Sequence, residues 1–165
     1  MKTTILIAFA VMLFFCSCST AKFYIVRHAE KLDESADPPL SKDGFRRAVT
    51  LMDTLDDKHI GKIYISNRRR TAQTAKPTAD HFSLTPVVFD ETQTNALITE
   101  LKSQKSKNML VVRHSGEIHL IVNALSPDDQ IQPIGNVFNL MFVVTRRVFL
   151  WQRKYSLKRL TYGEQ

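Results

Sequence analysis

Residues 22–31 have the sequence KFYIVRHAEK, in which an apolar, β-prone run ends at the pair Arg27-His28. An unbroken apolar run of this length is typical of a strand that is buried on both faces, as in a parallel sheet covered by helices. The sequence therefore predicts His28 at the C-terminal end of a buried strand. Ligands of such sheets bind beyond the carboxyl ends of the strands, so this position is a candidate functional site.

Apolar runs alternate with amphipathic stretches along the rest of the chain, a pattern that predicts alternating strands and helices. Ser41 is predicted to cap a helix that runs to about Asp56. The residues predicted on the inner side of this helix are Phe45, Ala48, Val49, Met52 and Leu55. The other predicted strands cover 62–66, 86–89 and 109–112, and the other predicted helices follow Asn67 and cover 93–105 and 117–125. Two final strands are predicted over 140–144 and 148–160, and an antiparallel edge of the sheet is one arrangement open to them.

This order of elements predicts an α/β fold of three α/β/α layers, with right-handed crossovers and a mainly parallel central sheet. At 165 residues, of which 44% are hydrophobic and 24% charged, the chain has the composition of one globular domain. We place this domain at residues 22–162. Three strand ends, at His28, Ser66 and His114, are then expected to meet at one edge of the sheet.

The N-terminal segment differs from the rest, because a positively charged start is followed by an apolar run and then by Cys16-Ser17-Cys18. These features predict an export signal over residues 1–18. The run is short for a membrane-spanning helix, which needs ~20 apolar residues. The end of the segment is similar to a bacterial lipoprotein signal, which implies lipid on Cys18, with Cys16 as the weaker candidate. The expected location is the periplasm, either as a soluble protein or tethered to a bacterial membrane.

The formal net charge of +7 favours anionic ligands. Many of the positive charges lie near the C-terminus, at Arg146, Arg147, Arg153, Lys154, Lys158 and Arg159. No aromatic-rich nucleic-acid motif accompanies them, so we expect a solvated basic edge or a membrane-facing surface and no nucleic-acid partner. Both cysteines fall in the predicted signal, so the remaining domain forms no internal disulfide.

The pair Arg27-His28 suggests nucleophilic catalysis on phosphorus. A neutral imidazole nitrogen can attack phosphorus, while nearby guanidinium groups hold the phosphate oxygens and disfavour the protonated imidazole. Arginine suits this task because its planar fork contacts two oxygens at once.

Two further segments make the pattern specific. Residues 66–75 have the sequence SNRRRTAQTA, and residues 110–115 have the sequence LVVRHS. Together with Arg27-His28, they resemble the three motifs of the histidine phosphatase superfamily, also called phosphoglycerate mutase-like. In that family, Arg-His ends the first strand, a strand-end serine precedes an arginine by four residues and then Gln-Thr-Ala, and a later strand ends in histidine. The motifs occur here in that order, and the resemblance covers about residues 22–162.

The resemblance implies that His28 accepts a phosphoryl group, which water later releases, without a metal or other cofactor. It also implies that Arg27, Arg70 and His114 stabilise the phosphoryl oxygens, and that His114 is catalytic. The expected activity is hydrolysis of a small phosphomonoester, or more narrowly of phosphohistidine in a protein. The alternative is a noncatalytic module of the same fold that binds a phosphate ligand or the cell envelope.

The leaving oxygen also needs a proton donor. Glu91 and Asp90 follow the third predicted strand, where many relatives have an acidic donor, and Glu91 is our candidate. Glu117 and Glu30 are the alternatives. Two departures from the family pattern are Arg113, where relatives have a small residue, and Gly116-Glu117. Arg113 is expected to contact phosphate, turn away, or partly fill the pocket.

Overall fold

A computed structural model of the chain describes residues 19–150 and 152–163. The strands are β1 (Ser19–Arg27), β2 (Ile60–Ile65), β3 (Val87–Val88), β4 (Asn108–Arg113), β5 (Leu140–Phe149) and β6 (Gln152–Thr161). The helices are α1 (Lys42–Leu55), α2 (Arg69–His81), α3 (Thr94–Ser103) and α4 (Ser115–Leu125), and a 3₁₀ turn over Asp56–Lys58 follows α1. The predicted signal over 1–18 lies outside the described residues. Within the described ranges, no helix is long and apolar enough to cross a bilayer.

The strands form a mixed sheet in the order β3-β2-β4-β1-β5-β6. The pairs β3–β2, β2–β4 and β4–β1 are parallel, whereas β5 runs antiparallel to both β1 and β6. The predicted mainly parallel sheet is therefore confirmed, and the last two strands form the antiparallel edge.

Helices cover both faces of the sheet. Leu51 and Leu55 of α1 pack with residues of α2 on one face, in the same cluster as Tyr24 and Val26 of β1. On the other face, helices α3 and α4 pack in a cluster that contains Phe23 and Ile25 of β1, and their buried residues include Leu97, Leu101, Ile118 and Ile121. Alternate residues of β1 thus belong to opposite cores, which explains its unbroken apolar run. The three-layer prediction is confirmed.

The prediction for the inner face of α1 is wrong in part. Phe45 and Val49 are each 47% exposed, and the buried residues of the helix are Gly44, Ala48, Leu51 and Leu55. The cause is a close backbone approach, because a Cβ atom on Gly44 would lie 2.2 Å from the carbonyl oxygen of Glu30. Only glycine fits there, and the orientation that this contact imposes directs Phe45 and Val49 to solvent.

The C-terminal basic edge also needs one correction. Arg146 was expected among solvated charges, but it is only 3% exposed. Its guanidinium donates to the carbonyl of Lys102 over 3.0 Å and to that of Lys105 over 2.9 Å. Carbonyls at and beyond a helix C-terminus lack partners within the helix, and Arg146 supplies donors to them from the facing strand.

Candidate active site

Three strand ends converge at one edge of the sheet. His28 follows β1, Ser66 follows β2 and His114 follows β4. The backbone N–H of His28 donates to the carbonyl of Arg113 over 2.9 Å, which fixes the two histidines side by side. Their ring centroids are 5.2 Å apart. Both rings line a cavity of about 490 Å³, together with Arg27, Arg70 and further residues of the surrounding loops.

The environment of His28 leaves one ring nitrogen free to act as a nucleophile. Nδ1 lies 2.8 Å from the carbonyl oxygen of Ala29, so this nitrogen carries the ring hydrogen and donates it. Nε2 then bears the lone pair and accepts from Nε of Arg70 over 3.2 Å. Burial lowers the pKa of His28 to about 4, opposed by the Ala29 carbonyl and reinforced by the charges of Arg27 and Arg70. The imidazole is therefore neutral at pH 7.

Arg70 contacts both histidines. Besides its bond to His28, a terminal nitrogen lies 3.4 Å from Nδ1 of His114. A guanidinium only donates, so Nδ1 of His114 is an acceptor in this arrangement. Asp37, from the loop before α1, lies 3.7 Å from the other terminal nitrogen of Arg70. One guanidinium thus connects the two imidazoles at the floor of the cavity.

A chain of hydroxyl groups orients His114. Its Nε2 lies 2.9 Å from Oγ of Ser66, which in turn lies 2.9 Å from Oγ1 of Thr71. The Thr71 hydroxyl can donate to the backbone carbonyls of Ser66 and Arg68. Burial lowers the pKa of His114 to about 3, and the charge of Arg70 adds to the effect. Ser66 is the strand-end serine of the sequence motif, and its contact with His114 explains its place there.

The guanidinium of Arg27 is held by the 135–138 segment, which engages only some of its hydrogen-bond donors. One terminal nitrogen donates to the carbonyl of Gly135 over 2.8 Å and to Oδ1 of Asn136 over 3.2 Å. The guanidinium lies over the ring of Phe138, 4.1 Å from its centroid. Its other terminal nitrogen forms no hydrogen bond within the described part of the chain, and Arg27 lines the cavity. This terminal nitrogen is therefore available to donate to an anionic ligand.

The residues after the arginine in the second motif hold the loop that follows His28. Oε1 of Gln73 accepts from the backbone N–H of Leu40 over 2.8 Å. Oγ1 of Thr74 accepts from the backbone N–H of Ala29 over 2.9 Å. The sequence Gln-Thr-Ala is thus explained by its contacts, because it ties α2 to the segment that carries the candidate nucleophile.

The four candidate proton donors have different surroundings. Glu91 and Glu117 line the cavity, whereas Glu30 and Asp90 do not. Glu30 is paired with Arg47. Oε2 of Glu91 lies 3.8 Å from Nε2 of His114. The hydrogen bond from Arg68 lowers the pKa of Glu91 below its usual range.

Arg113 turns away from the cavity and neither lines it nor fills it. Its side chain is fully buried and donates to the backbone carbonyls of Phe89 over 2.6 Å and Asp90 over 3.1 Å. It also pairs with Glu117, whose second contact is the hydroxyl of Thr94 at 2.7 Å. The two departures from the family pattern are therefore partners, and Arg113 fastens the loop that carries Glu91 to the start of α4.

Several residues that line the cavity are not among the predicted site residues. Lys31, Glu34 and Ser35 line the cavity from the loop after His28, and Ser115 lines it from the start of α4. The 135–138 segment that holds Arg27 was not predicted either, since it has no regular pattern. Among the described residues, no cluster of three or more His, Cys, Asp or Glu side chains could hold a metal ion.

Comparisons with known proteins concern the family and the fold. The family model described as histidine phosphatase superfamily (branch 1) matches residues 23–94. No curated protein gives a significant match. Among solved structures, the protein histidine phosphatase SixA in complex with tungstate is 17% identical, with a TM-score of 0.61 over 85% of this chain and 96% of that one.

Two further solved structures have the same fold. The mycobacterial glucosyl-3-phosphoglycerate phosphatase in complex with VO3 is 15% identical, with a TM-score of 0.66 over 86% of this chain and 99% of that one. The phosphoglycerate mutase of Plasmodium falciparum is 14% identical, with a TM-score of 0.63 over 89% of this chain and 95% of that one. The fold is therefore phosphoglycerate mutase-like, as predicted.

Proposed function

Because the chain belongs to the histidine phosphatase superfamily, we propose that it is a phosphatase that hydrolyses phosphomonoesters through a phosphohistidine intermediate on His28. The observation that carries the proposal is the position of Arg70, whose guanidinium contacts both His28 and His114 in one solvent-open cavity. Two structural relatives are described as complexes with tungstate and VO3, which supports an oxyanion as ligand here.

In the first step, Nε2 of His28 attacks phosphorus, the P–N bond forms and the ester P–O bond breaks. The leaving oxygen takes a proton, for which Glu91 is our candidate donor. The hydrogen bond from Arg68 favours the carboxylate form of Glu91, so substrates whose leaving group needs little protonation suit this site best. In the second step, water attacks phosphorus, the P–N bond breaks and the proton of the water returns to the donor.

Arg27 and Arg70 would donate to the phosphoryl oxygens, over which charge spreads during both steps. His114 would donate to them in the tautomer that carries its hydrogen on Nδ1, in which Nε2 accepts from the hydroxyl of Ser66. In this proposal Arg70 exchanges its bond with Nε2 of His28 for bonds with the phosphate, which frees the lone pair at the moment the substrate arrives. No step needs a metal ion. A small phosphorylated molecule fits the cavity of about 490 Å³, and a phosphohistidine side chain of a protein is the narrower alternative.

The decisive experiment traps the intermediate. The protein is mixed with a ³²P-labelled phosphomonoester and quenched in alkaline detergent, because phosphohistidine survives base and not acid. We expect label on the peptide that contains His28, and none in His28→Ala. His59→Asn is the matched control, because His59 is exposed and its left-handed backbone suits asparagine. Phosphate binding without label or turnover would favour the noncatalytic module.

We also propose that the protein is exported and anchored by lipid on Cys18. This part of the proposal rests on the sequence of residues 1–18 alone. Mass spectrometry of the N-terminus of the processed protein tests it. A lipid-modified cysteine would support the anchor, whereas an unmodified residue other than cysteine would reject it.

A further inference from the structure

One end of the molecule combines exposed apolar residues with exposed positive charges. The tip of the β5–β6 hairpin presents Phe149, which is 57% exposed, and Leu150, which is 50% exposed. Ser19, where the described chain begins, pairs with Val148 next to this tip. The C-terminal end of α3 lies at the same end, because Arg146 of β5 binds the carbonyls of Lys102 and Lys105.

Exposed basic side chains surround the tip on both faces of the hairpin. Lys102, Lys105 and Arg153 line a cavity of about 480 Å³ on one face, beside Val148. Arg147 and Lys154 are paired across the strands at the next register position, on the opposite face. None of these five side chains forms an ion pair with a carboxylate in the part of the chain that the structure describes.

The backbone conformation at the tip of the hairpin does not favour an apolar residue. Leu150 has a φ of 56°, in the left-handed region where glycine and asparagine are favoured. A leucine there is conformationally unfavourable, and half of it faces solvent. Burial of Leu150 and Phe149 in an apolar medium would offset that disadvantage.

We propose that this end of the molecule, which we call the basic tip (Phe149, Leu150, Lys102, Lys105, Arg147, Arg153 and Lys154), docks on an anionic lipid bilayer. Apolar residues flanked by lysine and arginine are the composition of interfacial membrane-binding segments, in which the apolar groups enter the headgroup boundary and the charges contact anionic headgroups. The long basic side chains can reach phosphate groups while their stems cover apolar surface.

The placement of the basic tip agrees with the N-terminal sequence. The predicted lipid-bearing residue, Cys18, directly precedes Ser19, so anchor and basic tip would meet the bilayer at the same end. The candidate active site lies at the other end of β1, about 26 Å away by strand rise. Docking would therefore hold the cavity open towards the aqueous phase. This proposal is independent of whether the cavity catalyses hydrolysis.

The test uses the full-length chain with Cys16 and Cys18 replaced by serine, so that no lipid is attached, and vesicles of phosphatidylcholine with or without phosphatidylglycerol. We expect tighter binding to the anionic vesicles. The variant K102E/K105E/R153E should lose roughly 100-fold of that affinity. The control K42E/R46E/K76E makes the same charge change on α1 and α2 and should bind almost as the parent does.

A second measurement reports the orientation. A polarity-sensitive fluorophore on Leu150→Cys should shift to the blue on anionic vesicles, whereas the same probe on Val88→Cys, exposed at the opposite edge of the sheet, should not. Equal binding by both charge variants, or a Leu150 probe that stays in water, would overturn the proposal. Loss of heparin binding in the first variant without loss of vesicle binding would assign the basic tip to a soluble polyanion and would overturn it as well.

Discussion

Nε of Arg70 donates to Nε2 of His28 over 3.2 Å, and a terminal nitrogen of the same guanidinium lies 3.4 Å from Nδ1 of His114. A single cation thus occupies the position between two neutral imidazoles where the proposed phosphoryl group would bind. Since its charge also helps to lower the pKa of both rings, Arg70 links the recognition of phosphate to the protonation state of the nucleophile.

The first prediction separates the charge of Arg70 from its shape. In Arg70→Ala, kcat/KM should fall by about 100- to 1000-fold, as for other lost donors to a transition-state oxyanion. The pKa of His28 should rise from about 4, because one of the charges that lowers it is gone. Arg70→Lys should keep the low pKa and still lose activity, because lysine lacks the planar fork. Kinetics and NMR titration of the histidine ring measure the two effects separately.

The second prediction concerns stability at acid pH. His28 and His114 have pKa values of about 4 and about 3 in the folded chain, below the value near 6.5 of an unfolded chain. Between the folded and the unfolded pKa values, the unfolded state binds more protons than the folded state, so the free energy of unfolding rises with pH. The contribution of the two neutral histidines reaches its full value only above about pH 6.5. At pH 5 each histidine should lower it by about 2 kcal/mol relative to pH 7.

Urea unfolding at the two pH values checks this window. The variant His28→Asn/His114→Asn should lose less stability between pH 7 and pH 5 than the parent does, whatever its absolute stability. An unchanged difference would mean that neither ring is held neutral by burial.

The third prediction compares two arginines that each bind a glutamate. Arg113→Met should lower the free energy of unfolding by about 3 kcal/mol or more, because Glu117 and the carbonyls of Phe89 and Asp90 lose a fully buried partner. Arg68→Met removes a pair whose side chains are each about one third exposed, and it should cost much less, because solvent screens the pair. Chemical denaturation measures both, and similar losses would contradict the distinction.

The contacts of Arg113 could not be predicted from a local sequence pattern. The convergence of His28, Ser66 and His114 followed from strand order alone, since parallel strands end at the same edge. The direction of the Arg113 side chain depends instead on carbonyls of a loop more than twenty residues away and on Glu117 of the next helix. Gly135 and Asn136 hold Arg27 through hydrogen bonds that are likewise long-range, and no local sequence pattern predicts them.

The choice of the buried face of α1 also depends on a long-range contact. A helical pattern allowed an inner face with Phe45 and Val49, and the contact between Gly44 and the carbonyl of Glu30 selected another. Local periodicity defines a helix and its approximate apolar side, whereas a single backbone contact from a distant loop decides between neighbouring orientations.

The fourth prediction tests that contact directly. Gly44→Ala should destabilise the fold by about 1–3 kcal/mol, because its Cβ would lie 2.2 Å from a backbone oxygen. Gly116→Ala is the matched control in α4, where a Cβ meets nothing within 4 Å. It should be neutral or stabilise by up to about 1 kcal/mol, as alanine favours helix over glycine. Thermal unfolding of both variants measures the contrast, and a destabilising Gly116→Ala of equal size would refute the steric explanation.

The last prediction concerns the proton donor. If Glu91 protonates the leaving oxygen, Glu91→Gln should reduce kcat/KM by about 100-fold or more for an alkyl phosphate, whose alkoxide is a poor leaving group. The same variant should hydrolyse p-nitrophenyl phosphate almost normally, because that leaving group departs without a proton. Glu117→Gln is the comparison, since Glu117 lines the same cavity but is engaged by Arg113 and Thr94. A loss that is equal for both substrates in Glu91→Gln would assign Glu91 to positioning Arg68 and His114 and would leave the donor role to another group.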